Sequence, residues 1–225
     1  MKLLVSDYDG TINFRGKINK EDYISLRRFY EKGNILMISS SRSFLSLYSE
    51  MLKYNIPFSL LCCNNGNAIF KDNKLIDVNN LTKKELLDMY DIFTSFPTNS
   101  KFIKYEAFGN IVIDNPLYVK TILSQETAFE SYSGQFIEKS LATDYYLNEG
   151  IIFSNRRQKD YAVRTVMRNY NIDKQNVYTI GDGDNDYEML EGYNGYTFPW
   201  QSSKVKQLKL PVVNSVSELI NNLKD

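Results

Sequence analysis

Two stretches of this chain combine residue type and spacing in a way that could do chemistry: Asp7-Tyr8-Asp9-Gly10-Thr11 and Gly181-Asp182-Gly183-Asp184-Asn185-Asp186. Each follows a short run of β-type residues, Leu3-Leu4-Val5-Ser6 in the first case and Val177-Tyr178-Thr179-Ile180 in the second. Asp, Asn and Gly are common at turns and helix caps, so either cluster alone reads equally well as chain punctuation. Together, at matching strand ends, they read differently. The strands of a parallel α/β sheet open their carboxyl ends on one edge, where ligands bind. Two such ends would pool carboxylates in one crevice, a costly arrangement unless a cation neutralises it. Hard oxygen donors without His or Cys point to Mg²⁺, held by carboxylates together with a substrate phosphate. Asp7 is then the candidate nucleophile on phosphorus, since a carboxylate can form an acyl phosphate and split one hard step into two. Asp9, two residues on in extended chain, projects to the same side at about 6–7 Å, which leaves room for a phosphoryl group. It is the candidate acid and base for the leaving oxygen and the attacking water.

The elements that must position these residues alternate. Lys20–Lys32 places Tyr23, Leu26, Arg27 and Tyr30 at helical spacing, and Gly33 stops it. Ile35–Ser39 reads as a buried strand, Ser43–Tyr54 as a helix, and Ser59–Cys63 as a strand after Pro57. Asn67–Phe70 and Lys74–Val78 flank a hairpin turn at Lys71-Asp72-Asn73. Towards the C-terminus follow helix Asp160–Tyr170, strand Val177–Ile180, helix Asp184–Leu190 and helix Val216–Leu223. Strands alternating with helices predict an α/β fold with a doubly wound parallel sheet. The middle differs. Lys83–Phe96 and Pro116–Ala128 read as helices, and Lys101–Ala107, Asn110–Asp114, Phe136–Lys139 and Gly150–Phe153 as strands. This α-β-β-α-β-β block reads as a small inserted α+β domain, with hinges at Asn79-Asn80 and Asn148-Glu149-Gly150.

Composition excludes several classes. Lys and Arg number 27, as do Asp and Glu, so no global charge favours nucleic acid or an anionic membrane. With no His, triads and metal sites built on imidazole are absent. Cys62 and Cys63 are neighbours in an apolar run and are expected to be reduced strand residues. There is no GxxxxGK[ST] motif for a nucleotide phosphate. Neither a signal peptide nor a bilayer-spanning stretch is apparent, so a cytoplasmic location is expected. Ser40 offers a hydroxyl at a strand end where the next backbone N–H groups open a helix, which suits a phosphate oxygen. The same Ser equally suits a helix N-cap, and the run Ser39-Ser40-Ser41-Arg42-Ser43 leaves the register open by one position.

Asp7-Tyr8-Asp9-Gly10-Thr11 resembles the DxDGT signature of the haloacid dehalogenase-like (HAD) phosphohydrolases, and Gly181–Asp186 resembles their GDxxND motif. Ile35–Arg42 resembles the strand ending in Thr-Gly-Arg, with Ser41 in place of Gly. Lys159, with Ala162, Val163 and Val166 behind it, resembles the Lys that opens a helix before the last motif, and Arg156 or Arg157 competes for that place. Cys63–Ile69 is similar to the Asn-Gly-Ala segment of the Cof-type, C2-capped sugar-phosphatase branch. The resemblance implies a Rossmann-like core from 1–80 and 151–225 and a C2-type cap from 81–150. It implies Asp7 and Asp9 as catalytic residues, and Asp7, Asp182 and the backbone carbonyl of Asp9 as ligands of Mg²⁺. Tyr8, Ser40, Ser41, Lys159 and Asn185 would bind phosphate, and Asp186 would hold water or Lys159 from behind. Asp184 reads as a helix cap. The implied activity is hydrolysis of a small phosphorylated metabolite, most plausibly a sugar phosphate, through an aspartyl-phosphate, by a monomer or weak homodimer. Phosphoryl transfer between sugars (a phosphomutase) and a silent sugar-phosphate sensor are the rival readings. Substrate identity would lie in the cap, with Tyr105, Phe108, Tyr132, Tyr145 and Tyr146 as candidates.

Overall fold

The computed structural model describes residues 1–42, 44–78, 103–106, 110–113, 135–138, 150–152 and 158–223. The first run holds strand β1 (Leu3–Asp7), a small hairpin of β2 (Asn13–Phe14) and β3 (Lys17–Ile18), helix α1 (Lys20–Glu31) and strand β4 (Ile35–Ser39). Helix α2 (Phe44–Tyr54), β5 (Leu60–Cys63), β6 (Ala68–Lys71) and β7 (Lys74–Val78) follow. Then come four strands: β8 (Ile103–Glu106), β9 (Asn110–Ile113), β10 (Gln135–Glu138) and β11 (Gly150–Ile152). The last run holds α3 (Lys159–Tyr170), β12 (Val177–Ile180), α4 (Tyr187–Gly192), β13 (Asn194–Tyr196), α5 (Ser203–Lys206) and α6 (Val216–Asn222).

A seven-stranded sheet in the order β13-β12-β1-β4-β5-β6-β7 forms the main body. The strands from β13 through β5 run parallel, and β6 and β7 add an antiparallel hairpin at one end. Side chains along each strand alternate between two separate cores, as the two-residue period of a strand requires. Leu4, Leu36, Ile38, Leu61 and Cys63 join one cluster with α1, α2 and α6. Leu3, Val5, Ile35, Met37, Leu60, Cys62 and Val177 join the other with α3, α4 and α5. Strands buried on both faces are the signature of a sheet sandwiched between helix layers, which is why these runs are apolar throughout. Each fully buried Leu of β1 adds roughly 1.5–3 kcal/mol through the area it withdraws from water. The adjacent cysteines thus point to opposite faces; both are unpaired and buried, and burial pushes the Cys62 thiol up to about 11.

Local signals explain the helix ends. Asn19 caps α1 by accepting from the Glu21 N–H, Ser202 caps α5 at Val205, and Ser215 caps α6 at Glu218. Asn171 ends α3 in the left-handed conformation that Asn tolerates. The buried Asp22 of α1 also accepts from the Ser217 N–H at 2.7 Å, pinning α6 to α1 through the orphan donors of a helix start.

A separate four-stranded antiparallel sheet in the order β11-β10-β8-β9 is built from the middle of the chain. The doubly wound α/β class and the strands expected in the inserted block are therefore present. The helices expected at 83–96 and 116–128, the hinge at 79–80 and the aromatic candidates Phe108, Tyr132, Tyr145 and Tyr146 lie outside the described residues, as does Ser43. One element differs from expectation: the stretch 184–190 is a 3₁₀ turn, Asp184–Asp186, followed by α4, because Asp186 turns its side chain back onto the preceding backbone. The hairpin β2–β3, strand β13 and helix α5 had no strong sequence signal, being two to four residues long.

Candidate active site

The chain leaves β1 towards β4 and β5 on one side and returns through β12 and β13 on the other, so the order of strands switches between β1 and β12. At such a switch point the loops beyond two neighbouring strands diverge and open a crevice at their carboxyl ends. The register is tight: Leu3 faces Val177 and Ser6 faces Ile180. Asp7, the last residue of β1, and Asp182, two residues beyond β12, are thereby brought to one edge. On the other side of β1, Asp7 pairs with Ser39 of β4, and Ser40 follows it.

Carboxylate oxygens of Asp7, Asp182 and Asp186 lie within 4.8 Å of one another. Lys159, at the first position of α3 and fully buried, reaches between them. Its Nζ donates to Asp7 Oδ1 and to Asp186 Oδ1, each at 2.6 Å. The other oxygen of Asp186 accepts from the backbone N–H groups of Asp182 and Gly183 at 3.1 and 2.9 Å. Asp186 therefore holds both the lysine and the turn that carries Asp182. Asp186, expected to hold water or Lys159, contacts Lys159 directly. Asp182 Oδ1 accepts from the Thr11 hydroxyl at 3.1 Å, a direct link between the two acidic loops.

The electrostatics follow from this crowding. Burial, then repulsion from Asp186, raises the Asp7 carboxyl from 3.8 to about 8, against the pull of Lys159. Burial disfavours the Lys159 ammonium, but the attraction of Asp186 and Asp7 outweighs it and holds the lysine above its ordinary value. Burial also lifts Asp182. With all three carboxylates ionised, as a bound cation would favour, they would leave two negative charges beside the one ammonium, which a divalent cation would balance. The donor set is all oxygen and suits a hard divalent cation, which carboxylates of Asp7, Asp182 and Asp186 are close enough to hold.

Asp9 stands apart from this cluster. Its half-exposed carboxylate is gripped by both arms of Arg42, Nε at 2.7 Å and Nη2 at 2.8 Å. Arg42 also lies over the Tyr8 ring, 5.3 Å from its centre. The Tyr8 side chain is itself fully buried, its phenol donating to Glu50 at 2.7 Å, so Tyr8 can meet a phosphate only through its backbone. Ser40 is buried and its hydroxyl oxygen accepts from the Arg42 N–H at 3.1 Å, while Ser41 is half-buried beside it. Asn185, expected to face phosphate, donates to Asn65 Oδ1 at 2.9 Å. Arg156 and Arg157 lie outside the described residues.

Three features were missed or undervalued in the sequence. Thr11, the last letter of the first motif, joins the loops through Asp182. Arg42, the last residue of the Ile35–Arg42 motif, pairs bidentately with Asp9 from 33 positions away, which no local signal marks. The third is the turn after β5, where Asn64, Asn65 and Gly66 all take left-handed backbone at φ of 51°, 53° and 95°. A Cβ at Gly66 would lie 2.2 Å from the Gln158 carbonyl oxygen, so only Gly lets this turn seat the start of α3, and with it Lys159. Asn-Asn-Gly is the composition such a turn demands, so that signal was present.

The model of the haloacid dehalogenase-like hydrolases matches residues 4–151 and 117–208. The chain belongs to that family. This hydrolase is 24% identical over 206 residues to a phosphoglycolate phosphatase of Sulfolobus acidocaldarius, covering 85% of this chain and 80% of that protein. Its fold matches a haloacid dehalogenase-like hydrolase of B. subtilis with a TM-score of 0.78 at 16% identity, over 100% of both chains. It also matches a HAD subclass IIB sugar phosphatase with a TM-score of 0.70 at 17% identity, over 97% of this chain and 95% of that one. Family and relatives bear out the expectation of a HAD-type phosphatase. Among the described residues of the hydrolase, no helix is long and apolar enough to cross a membrane.

Proposed function

We propose that the protein is a Mg²⁺-dependent phosphomonoester hydrolase of a small phosphorylated metabolite, a sugar phosphate, working through an aspartyl-phosphate. The observation that carries this reading is the buried Lys159, held at 2.6 Å from both Asp7 and Asp186, with Asp182 beside them at the sheet's carboxyl edge. Bound there by Asp7, Asp182 and the Asp9 carbonyl, the metal would neutralise charge on the carboxylates and the phosphate. An oxygen of Asp7 attacks phosphorus in line as the bond to the leaving oxygen breaks, and Asp9, which must enter this step released from Arg42 and protonated, delivers its proton to that oxygen and is left as the carboxylate. Water then attacks the aspartyl-phosphate, Asp9 takes its proton, and Asp7 is regenerated with release of inorganic phosphate. Lys159 screens the Asp7 carboxylate and the incoming phosphate as a fixed point charge. The Ser40 hydroxyl, the Ser41 and Tyr8 backbone N–H groups and the Asn185 amide are assigned to the phosphate oxygens. Because Asp9 is clasped by Arg42, proton transfer requires that fork to open.

The core is assigned to 1–80 and 151–225, and the cap to 81–150. The separate antiparallel sheet β8–β11 supports an inserted unit, and β11 straddles the boundary after residue 150. Substrate selection is assigned to this cap, with Tyr105, Phe108, Tyr132, Tyr145 and Tyr146 as candidate contacts. Two buried, unpaired cysteines support a reducing, cytoplasmic setting.

The test is a phosphate-release screen over phosphorylated metabolites with and without Mg²⁺. Release that needs Mg²⁺ and is strongest for a sugar phosphate is the expected outcome. Phosphate retained on a sugar product would identify a phosphotransferase instead, and no turnover on any member with Mg²⁺ present would sink the catalytic reading.

A further inference from the structure

The chain has a single tryptophan, and it sits where neither the fold nor the proposed chemistry requires one. Trp200 is 40% exposed, yet its indole Nε1 donates to the carbonyl oxygen of Gly10 at 3.0 Å. Gly10 is the turn residue between Asp9 and Thr11, at a φ of 90°. An added Cβ there would lie 2.5 Å from Asp182 Oδ2, so the two acidic loops touch at this point. The indole is braced by two rings, stacked on buried Phe198 at 4.7 Å and 8°, and tilted against Phe14 of β2 at 4.7 Å.

The same short segment also grips the second acidic loop. The buried Thr197 hydroxyl donates to the Gly181 carbonyl at 2.9 Å, and the Ser202 N–H donates to the Asp182 carbonyl at 2.8 Å. The segment is anchored independently of both loops. Thr197 N–H donates to the Pro211 carbonyl at 3.1 Å, and Val213 N–H donates to the Thr197 carbonyl at 2.8 Å. Three hydrogen bonds from six residues thus reach the carbonyls of Gly10, Gly181 and Asp182.

We propose that the segment from Thr197 to Ser202 is a positioning clamp, in which Trp200 and Thr197 fix the separation of the two acidic loops and so set the affinity of the site for its divalent cation. The inference rests on the metal reading given above. A carbonyl that loses its donor is free to turn, and each carbonyl here belongs to a residue adjoining or carrying a proposed ligand. Trp200→Phe keeps an aromatic ring at this position while removing the N–H together with the rest of the indole, so Thr197→Val, which removes one hydroxyl at the other end at nearly constant shape, is its control.

Mg²⁺ alone is the probe. Calorimetric titration of Trp200→Phe should give a dissociation constant about five-fold weaker than wild type, the scale of one hydrogen bond, with the thermal midpoint little changed. Because Trp200 is the only indole, its fluorescence should change on Mg²⁺ titration of the wild-type protein, and Thr197→Val should shift that titration to higher Mg²⁺. Turnover should follow as a raised Mg²⁺ requirement with kcat recovered at saturating metal, a pattern that simple loss of packing would not produce. Wild-type Mg²⁺ affinity in both folded variants would overturn the clamp while leaving the phosphatase reading intact. Absence of any Mg²⁺ binding by the wild-type protein would overturn the metal reading and the clamp with it.

Discussion

At the scale of single residues, Asp7 is held in an environment that penalises its charge. Its folded pKa, about 8 against 3.8, means that the folded state binds the proton more tightly than the unfolded chain does. The resulting contribution to stability is complete below about pH 4 and is lost as pH rises through about 8, provided no metal is bound. Asp7→Asn mimics the protonated form, so in EDTA it should raise the thermal midpoint at pH 8 and hardly change it at pH 4. A gain of 1 kcal/mol corresponds to about 2–4 °C for a chain of this size. The same variant should lose phosphate release entirely, because an amide does not attack phosphorus. Calorimetric scans at the two pH values and a turnover assay check both halves. Asp9 is a different case. Its pairing with Arg42 is partly exposed, so Asp9→Asn should cost within about 1 kcal/mol of stability. With an aryl phosphate, whose leaving group needs little protonation, that variant should still give a burst of phenolate, followed by a slow phase set by unassisted water attack. Loss of the burst as well would argue that Asp9 acts structurally.

At the scale of elements, the site depends on turns that only Gly can make. Gly66 has a φ of 95° and its α-hydrogen faces the Gln158 carbonyl. Gly66→Ala should cost about 3 kcal/mol or more, through strain and through displacement of the α3 start. Because α3 carries Lys159, turnover in whatever folds should fall as well. Gly16, in the β2–β3 turn, has a φ of 79° with nothing within 4 Å of where a Cβ would go. Gly16→Ala should therefore cost only roughly 1–2 kcal/mol, the local left-handed penalty. Urea unfolding of the pair separates conformational strain from close approach. Equal costs would mean that the Gly66–Gln158 contact is not tight.

At the scale of the whole molecule, the chemistry and the choice of substrate are assigned to different parts of the chain. Among the described residues, the acidic cluster comes from β1 and the loop after β12, and the lysine between its members from α3. Replacing residues 81–152 by a short flexible linker, so that β11 leaves with the sheet it pairs in, should leave hydrolysis of a small activated phosphate measurable. Preference among natural sugar phosphates should collapse, because contacts to the non-reacting part of the substrate are what an inserted domain adds. Comparing kcat/KM for the two substrate classes decides the matter. Full discrimination by the folded core would place specificity in the core.

Much of this was legible in the residues themselves. The apolar runs Leu3–Val5, Ile35–Ile38 and Val177–Ile180 read as buried strands, and the acids that follow the first and the third, Asp7 and Asp182, read together as a cluster at the sheet's carboxyl edge. The residue types at Asn64-Asn65-Gly66, Asn19 and Ser215 suit a left-handed turn and helix caps, a local signal that went unread until the structure showed what each one does. The partner of each charge was not legible from the residues themselves, and only the family resemblance offered one, Asp186 with Lys159, beside the alternative of water. A lone lysine at a helix start is ordinarily solvated, and nothing near Lys159 in sequence says that it is buried between Asp7 and Asp186, 152 and 27 residues away. The same holds for Arg42 closing on Asp9 and for Trp200 reaching Gly10 across 190 positions. Local propensity follows from neighbouring residues, whereas ion pairs and hydrogen bonds over such separations depend on sheet order and register, so only the tertiary structure decided which carboxylate met which cation.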